Sequence, residues 1–175
     1  MRNQENTRDF ILSFRETRDL EKYSDHLIKN PSFIPGVIQL CSNPQYPFAA
    51  YSSWLLVHVQ LKAKELMDNH RESIIDQFLI TQDHSAQRNL LNIINRSAFT
   101  LYKEGELVDY FFALLNDNEA KVALKVNAIT ALLPYLRLYP ELKNEFQGTI
   151  HLLSRTITPS LRAATKKANI YISKL

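Results

Sequence analysis

The chain is poor in the residues that build cross-links and reaction centres. Its 175 residues include a single cysteine, Cys41, so no disulfide can close within it. An unpaired thiol suits a reducing compartment, and in Val37-Ile38-Gln39-Leu40-Cys41 it reads as a small apolar core residue. The three glycines, Gly36, Gly105 and Gly148, stand alone. A phosphate-cradling loop needs neighbouring glycines so that backbone N–H groups can approach the anion, and that class is excluded. The five histidines, His26, His58, His70, His84 and His151, form no His-x-x-x-His pair and no cluster with Cys41, so no metal set is legible. A Gly-x-Ser-x-Gly elbow is absent. The acid pairs Glu104/Glu106 and Asp117/Glu119 fall where helices are expected to start, where anions favour the helix dipole. The expectation is a protein without enzymatic activity, catalytic residues, cofactor or metal. The longest apolar run, Trp54 to Val59, is far below the roughly 20 residues of a membrane span and contains His58. The polar start, Met1 to Asn6, lacks the apolar stretch of a signal peptide, so a cytoplasmic location is expected.

Apolar residues recur at helical spacing throughout, and no Asn-Gly or Asp-Gly hairpin signal appears. A short first helix is expected over Arg8 to Phe14. A second follows, capped by Thr17, with Leu20, Tyr23, Leu27 and Ile28 on one face. Asn30-Pro31 starts a third through Phe33, Val37 and Cys41, and Asn43 to Pro47 reads as a turn. The helix from Phe48 to about Lys64 is expected to bury Ala50, Trp54, Val57 and Leu61. Further pairs follow at Met67–Ile80 with Ser85–Tyr102, and Glu106–Leu115 with Glu119–Leu138. Pro134 lies inside the last of these, and Tyr139-Pro140 and Thr158-Pro159 each restart a helix. Trp54, Leu90, Ile94, Ile129 and Leu132 are expected in the core.

These helices repeat. Second helices centred on Trp54-Leu55-Leu56-Val57, Leu90-Leu91-Asn92-Ile93-Ile94, Ala128-Ile129-Thr130-Ala131-Leu132 and Ala168-Asn169-Ile170-Tyr171-Ile172 begin 36, 38 and 40 residues apart. A period near 40 with two helices per unit marks a HEAT-like or armadillo-like solenoid. The expected fold is all-α: a right-handed α-α superhelix of about four helix pairs with an N-terminal capping helix, forming one domain over residues 1–175.

Such folds work by presenting a surface. At 100° per residue, Arg88, Asn92, Asn95 and Arg96 fall opposite Leu90, Ile94 and Leu101, and Arg162, Lys166, Asn169 and Ser173 share one side of the last helix. With Asn127 and Thr130 between them, they are candidates for a groove rich in amides and cations. The proposed partner-binding set is Arg88, Asn92, Arg96, Asn127, Thr130, Arg162, Lys166 and Asn169. Residues 148–175 carry Arg155, Arg162, Lys166, Lys167 and Lys174 with no acid, which accounts for the net charge of +3 over the whole chain. This patch could attract phosphate or an acidic protein, or serve only as the solvated face of a last helix. The leading reading is an interaction or scaffold module that binds a protein partner through its inner helix layer. The alternative is a nucleic-acid-binding or DNA-repair-like protein using the basic C-terminal helices.

Two stretches carry a family resemblance. Lys22-Tyr23-Ser24-Asp25-His26-Leu27-Ile28-Lys29-Asn30-Pro31-Ser32-Phe33 is similar to a "YA-x-L-x-x-NP-x-x-F" block, and Ala49 to Val59 to the Trp-centred helix that follows it. Both resemble small HEAT-like proteins of Bacteroidetes, sometimes labelled adenylosuccinate lyase. The resemblance implies the fold. It carries over no catalytic residue, because the Ser-Ser-x-Met-Pro-x-Lys-x-Asn-Pro loop of the lyases is missing and methionine occurs only at positions 1 and 67. The HEAT-like alkylpurine DNA glycosylases share helix pairs and basic inner surfaces, but their Trp/Asp/Arg motif has no match here.

Overall fold

The computed structural model describes residues 2–154 and 158–175, with side chains from Asn6 onward except that of Ser154. The described residues form eleven α-helices and one 3-10 turn, with no strand. Their contacts group into two compact units, residues 1–98 and 99–175.

The first unit contains α1 (Arg2–Thr17), α2 (Leu20–Lys29), a 3-10 turn (Pro31–Phe33), α3 (Ile34–Leu40), α4 (Phe48–Lys62), α5 (Lys64–Asp68), α6 (Arg71–Ile80) and α7 (His84–Arg96). Its helices sort into two layers. Helices α1, α3 and α6 follow one another in the first, while α2, α4 and α7 do so in the second. Helix α1 is longer than the expected Arg8–Phe14. It ends at Thr17, and the chain reverses through Arg18 in the left-handed region at φ 53°. Thr17 therefore does not cap α2; its hydroxyl donates back to the Ser13 carbonyl, and Asp19 caps instead, accepting from the Lys22 N–H at 3.0 Å. The pairs α3–α4 and α6–α7 match the first two expected repeats, and α1 and α2 cover their N-terminal side.

Two hydrogen bonds about one repeat apart fix how these two pairs stack. The Thr81 hydroxyl donates to the Cys41 carbonyl at 2.8 Å, joining the C-caps of α6 and α3. Midway, Asn89 Nδ2 donates to Ser53 Oγ at 3.1 Å. Past the end of α7, the Ala98 N–H donates to Asp68 Oδ1 of α5 at 3.3 Å, and Arg71 Nη1 at the start of α6 donates to the Ala98 carbonyl at 3.2 Å, which ties the end of α7 to its own pair. Helices α4 and α7, which follow α3 and α6 in the same order, thus run parallel and are held in register at Ser53 and Asn89.

The second unit repeats the plan with α8 (Glu104–Asn116), α9 (Val122–Leu138), α10 (Leu142–Ser154) and α11 (Pro159–Ile172). Helix α8 packs on α9, α10 on α11, and the second helices α9 and α11 lie against each other. Its core is built from Leu107, Phe111, Ile129, Leu132, Phe146 and Leu161. Pro134 lies inside α9 with its ring exposed. Thr158 stands at the N-cap of α11 before Pro159, but its hydroxyl makes no capping bond. Helix α10 starts at Leu142, two residues after Pro140.

Candidate functional site

The structure overturns the expected register of α4. The buried side chains are Phe48, Ala49, Ser52, Ser53, Leu55, Leu56, Val59 and Gln60. Of the four residues expected inside, Ala50, Trp54 and Val57 are half-buried and Leu61 is 58% exposed. The cause is that α4 is apolar on nearly every side, so composition alone cannot choose the inner face. Polar atoms enter the core instead. Ser53 and Asn89 satisfy each other, whereas Ser52 Oγ and both amide atoms of Gln60 find no partner. Ile94 is likewise half-buried, and Leu101 lies beyond the end of α7 with 55% exposure. Leu90, Ile129 and Leu132 are buried as expected.

The outer side of α4 is therefore an apolar and aromatic stripe. Tyr51 and Trp54 sit with ring centroids 5.9 Å apart, and Trp54 and His58 at 6.1 Å, both edge to face. Phe14 of α1 supports the stripe from one side, 5.4 Å from Trp54. Burial lowers the pKa of His58, and the charge of Lys62 lowers it further. On the other side lies α7. The Ser53–Asn89 bond and the parallel register place Asn92 and Arg96 on the solvent side of that junction, with Arg88 following round the helix. Arg88 and Arg96 are exposed and Asn92 is half-buried. Neither arginine forms an ion pair among the described residues.

In the second unit the expected residues lie on the adjacent helices α9 and α11. Thr130, Arg162, Lys166 and Asn169 are exposed and Asn127 is half-buried. The Thr130 hydroxyl donates to the Val126 carbonyl of its own helix. Lys167 and Lys174 are also exposed, and Arg155 lies outside the described residues.

Sequence reasoning missed a second concavity. Helices α1 and α2 enclose an open cleft of about 490 Å³, lined by Phe10, Ser13, Lys22, Tyr23, Asp25, His26 and Lys29. Phe10 forms its floor, with ring centroids 5.0 Å from Tyr23 and 5.2 Å from His26. Asp25 is taken up by Lys62 of α4 at 2.7 Å, and that hydrogen bond holds its carboxyl below the usual carboxylate range. The spacing of Lys22, His26 and Lys29 at i, i+4 and i+7 was the available signal, although the partner helix could not be read from it.

Among the described residues, no three His, Cys, Asp or Glu side chains group so as to hold a metal ion. Cys41 is fully buried and burial pushes its thiol pKa far up, so it is an inert core residue. No helix among the described residues is long and apolar enough to cross a membrane. What the arrangement offers is surface: an aromatic stripe, flanking guanidinium groups and amides. No curated protein and no solved structure matches the chain. A model described as the HEAT repeat domain matches residues 12–172, which takes in every helix pair described above, and the chain belongs to that family.

Proposed function

We propose that the protein is a non-enzymatic interaction module that binds a protein partner through its second-helix layer. The observation that carries this reading is the outward stripe of α4. Trp54 is half-buried and Leu61 is 58% exposed, beside Arg88, Asn92 and Arg96. Water gains nothing from such a stripe, whereas a partner that covers it removes apolar area and can anchor on an aromatic ring and arginines. HEAT repeats commonly mediate protein interactions and are typically non-enzymatic. The module is proposed to work in the cytoplasm and to fold as one domain over residues 1–175. No turnover of adenylosuccinate is expected from it.

The test is site-specific photo-crosslinking in cells. A benzophenone side chain at position 61 should give a discrete adduct, identified by mass spectrometry and lost with Arg88→Glu and Arg96→Glu. The same probe at Gln82, exposed in the turn before α7, should not give it. Absence of any adduct specific to position 61 would sink the reading.

A second reading rests on the C-terminal helices, where Arg162, Lys166, Lys167 and Lys174 are all exposed and no acid occurs after Glu145. On that reading the partner is nucleic acid and binding has a steep log–log salt slope, because phosphate contacts release counterions. Arg162→Ala with Lys166→Ala should then flatten the slope by about two charges' worth.

A further inference from the structure

We propose that the cleft between α1 and α2 is a second docking site, for an extended acidic segment of a partner protein that inserts one aromatic side chain between two carboxylates. The inference shares with the proposed function only the premise that the chain binds protein, and it uses a different surface.

The floor and the rim of the cleft make different demands. The floor is aromatic: half-buried Phe10 touches the rings of Tyr23, His26 and Phe33 at 5.0, 5.2 and 5.9 Å. Ring edges and faces left open to a cleft of about 490 Å³ suit an aromatic guest, which can add an offset or edge-to-face contact. The rim is cationic. Lys22 and Lys29 are exposed, and neither is ion-paired among the described residues. The acid of the cleft, Asp25, is already neutralised by Lys62 at 2.7 Å. The net charge facing a ligand is therefore positive, which selects an acidic segment and rejects a basic one.

Spacing makes the ligand more specific. Lys22 and Lys29 are seven residues apart on one helix, about 10.5 Å along its axis. An extended chain advances about 3.4 Å per residue and alternates its side chains between two faces, so carboxylates four positions apart share one face about 13.6 Å apart, a span the two lysine side chains reach by splaying outward. The aromatic residue that shares their face falls midway between them, as in Glu-Ser-Phe-Ser-Glu.

The experiment uses the full chain and fluorescein-labelled Ser-Glu-Ser-Phe-Ser-Glu-Ser, read by fluorescence anisotropy at low salt. Saturable binding is expected below about 1 mM. Replacing both Glu by Gln, or Phe by Gly, should weaken it about fivefold or more, as should Lys22→Ala with Lys29→Ala. Ser13→Trp, a change at an exposed position, should block the cleft while the circular dichroism and melting temperature stay as in the parent. Arg88→Ala with Arg96→Ala should leave the peptide affinity unchanged. The inference is overturned if no saturable binding occurs, if the lysine pair or the Ser13 variant changes affinity less than twofold, or if a charge-matched oligothymidylate displaces the peptide more effectively than the unlabelled peptide does. Loss of binding in the arginine pair alone would move the peptide to the α4–α7 face, refuting this site while supporting the proposed function.

Discussion

Asn89 and Ser53, 36 positions apart, are joined by a hydrogen bond of 3.1 Å between two buried side chains. This polar contact in the apolar seam between α4 and α7 occupies equivalent places in successive repeats, so it opposes slippage of one helix past the other. Apolar side chains could slide by a turn at modest cost, but a buried amide cannot give up its acceptor as freely.

The bond makes Ser53 more consequential than its size suggests. Its hydroxyl donates to the Ala50 carbonyl at 3.0 Å while accepting from Asn89. Ser53→Ala strands the Asn89 amide and should cost ~1–3 kcal/mol in urea unfolding. A loss under ~0.5 kcal/mol would show that the amide finds another partner.

The corrected face of α4 is tested by a matched pair of leucines. Leu56 is fully buried and Leu61 is 58% exposed. Leu56→Ala should cost ~2–5 kcal/mol, whereas Leu61→Ala should stay within ~0.5 kcal/mol. Similar costs at both positions would refute the outward stripe and, with it, the surface on which the proposed function rests.

How much of this could be read beforehand depended on the range of the interactions. The four second helices were legible because their apolar blocks recur locally, and Cys41 and Leu90 fell inside as expected. The cap of α2 was misread because Thr17 and Asp19 are both capping residues, and only the left-handed Arg18 between them decides which helix each one serves. The face of α4 was misread for a different reason: Ser52, Ser53 and Gln60 look solvent-facing until α7 is laid against them. The α1–α2 cleft needs two helices and a reversal between them, and no periodicity within one helix encodes that. The candidate residues Arg88, Asn92 and Arg96 were found on the solvent side of α7, but the aromatic stripe beside them was expected inside.

Glycine supplies a contrast between two nominally identical substitutions. A Cβ at Gly36 would stand 2.7 Å from Thr7 Oγ1 and 3.3 Å from Thr7 Cγ2, where α1 crosses α3. Threonine is stiff at χ1 and Thr7 is buried, so the neighbour cannot move aside freely. Gly36→Ala should therefore destabilise by ~1–3 kcal/mol despite better helix propensity. At Gly148, within α10, a Cβ meets nothing within 4 Å, and Gly148→Ala should stabilise by up to ~1 kcal/mol. Thermal melts of the two variants should shift in opposite directions; a shift in the same direction would show that the α1–α3 approach is looser than described.

The stability of the protein should also fall on mild acidification, and the direction follows from two histidines. Burial lowers the pKa of both His58 and His70 below the ordinary 6.5. In the unfolded chain each takes up its proton as the pH falls through 6.5, while in the folded chain each resists protonation until a lower pH. The unfolded state therefore binds more protons in that interval, and stability falls as the pH falls. The contribution is fully present above pH 6.5 and is lost on the way down to the depressed folded values. Asp25 acts in a separate window: its lowered carboxyl contributes stability above 3.8 that is lost only below it. Melting temperatures at pH 7.5 and 5.5 should thus differ in the parent protein, with the lower value at pH 5.5. His58→Gln with His70→Gln should reduce that difference, because neither side chain can then take up a proton in the unfolded chain. A difference unchanged by the double substitution would assign the acid sensitivity elsewhere and would place both imidazoles in water. That result would also count against the half-buried packing of His58 on Trp54.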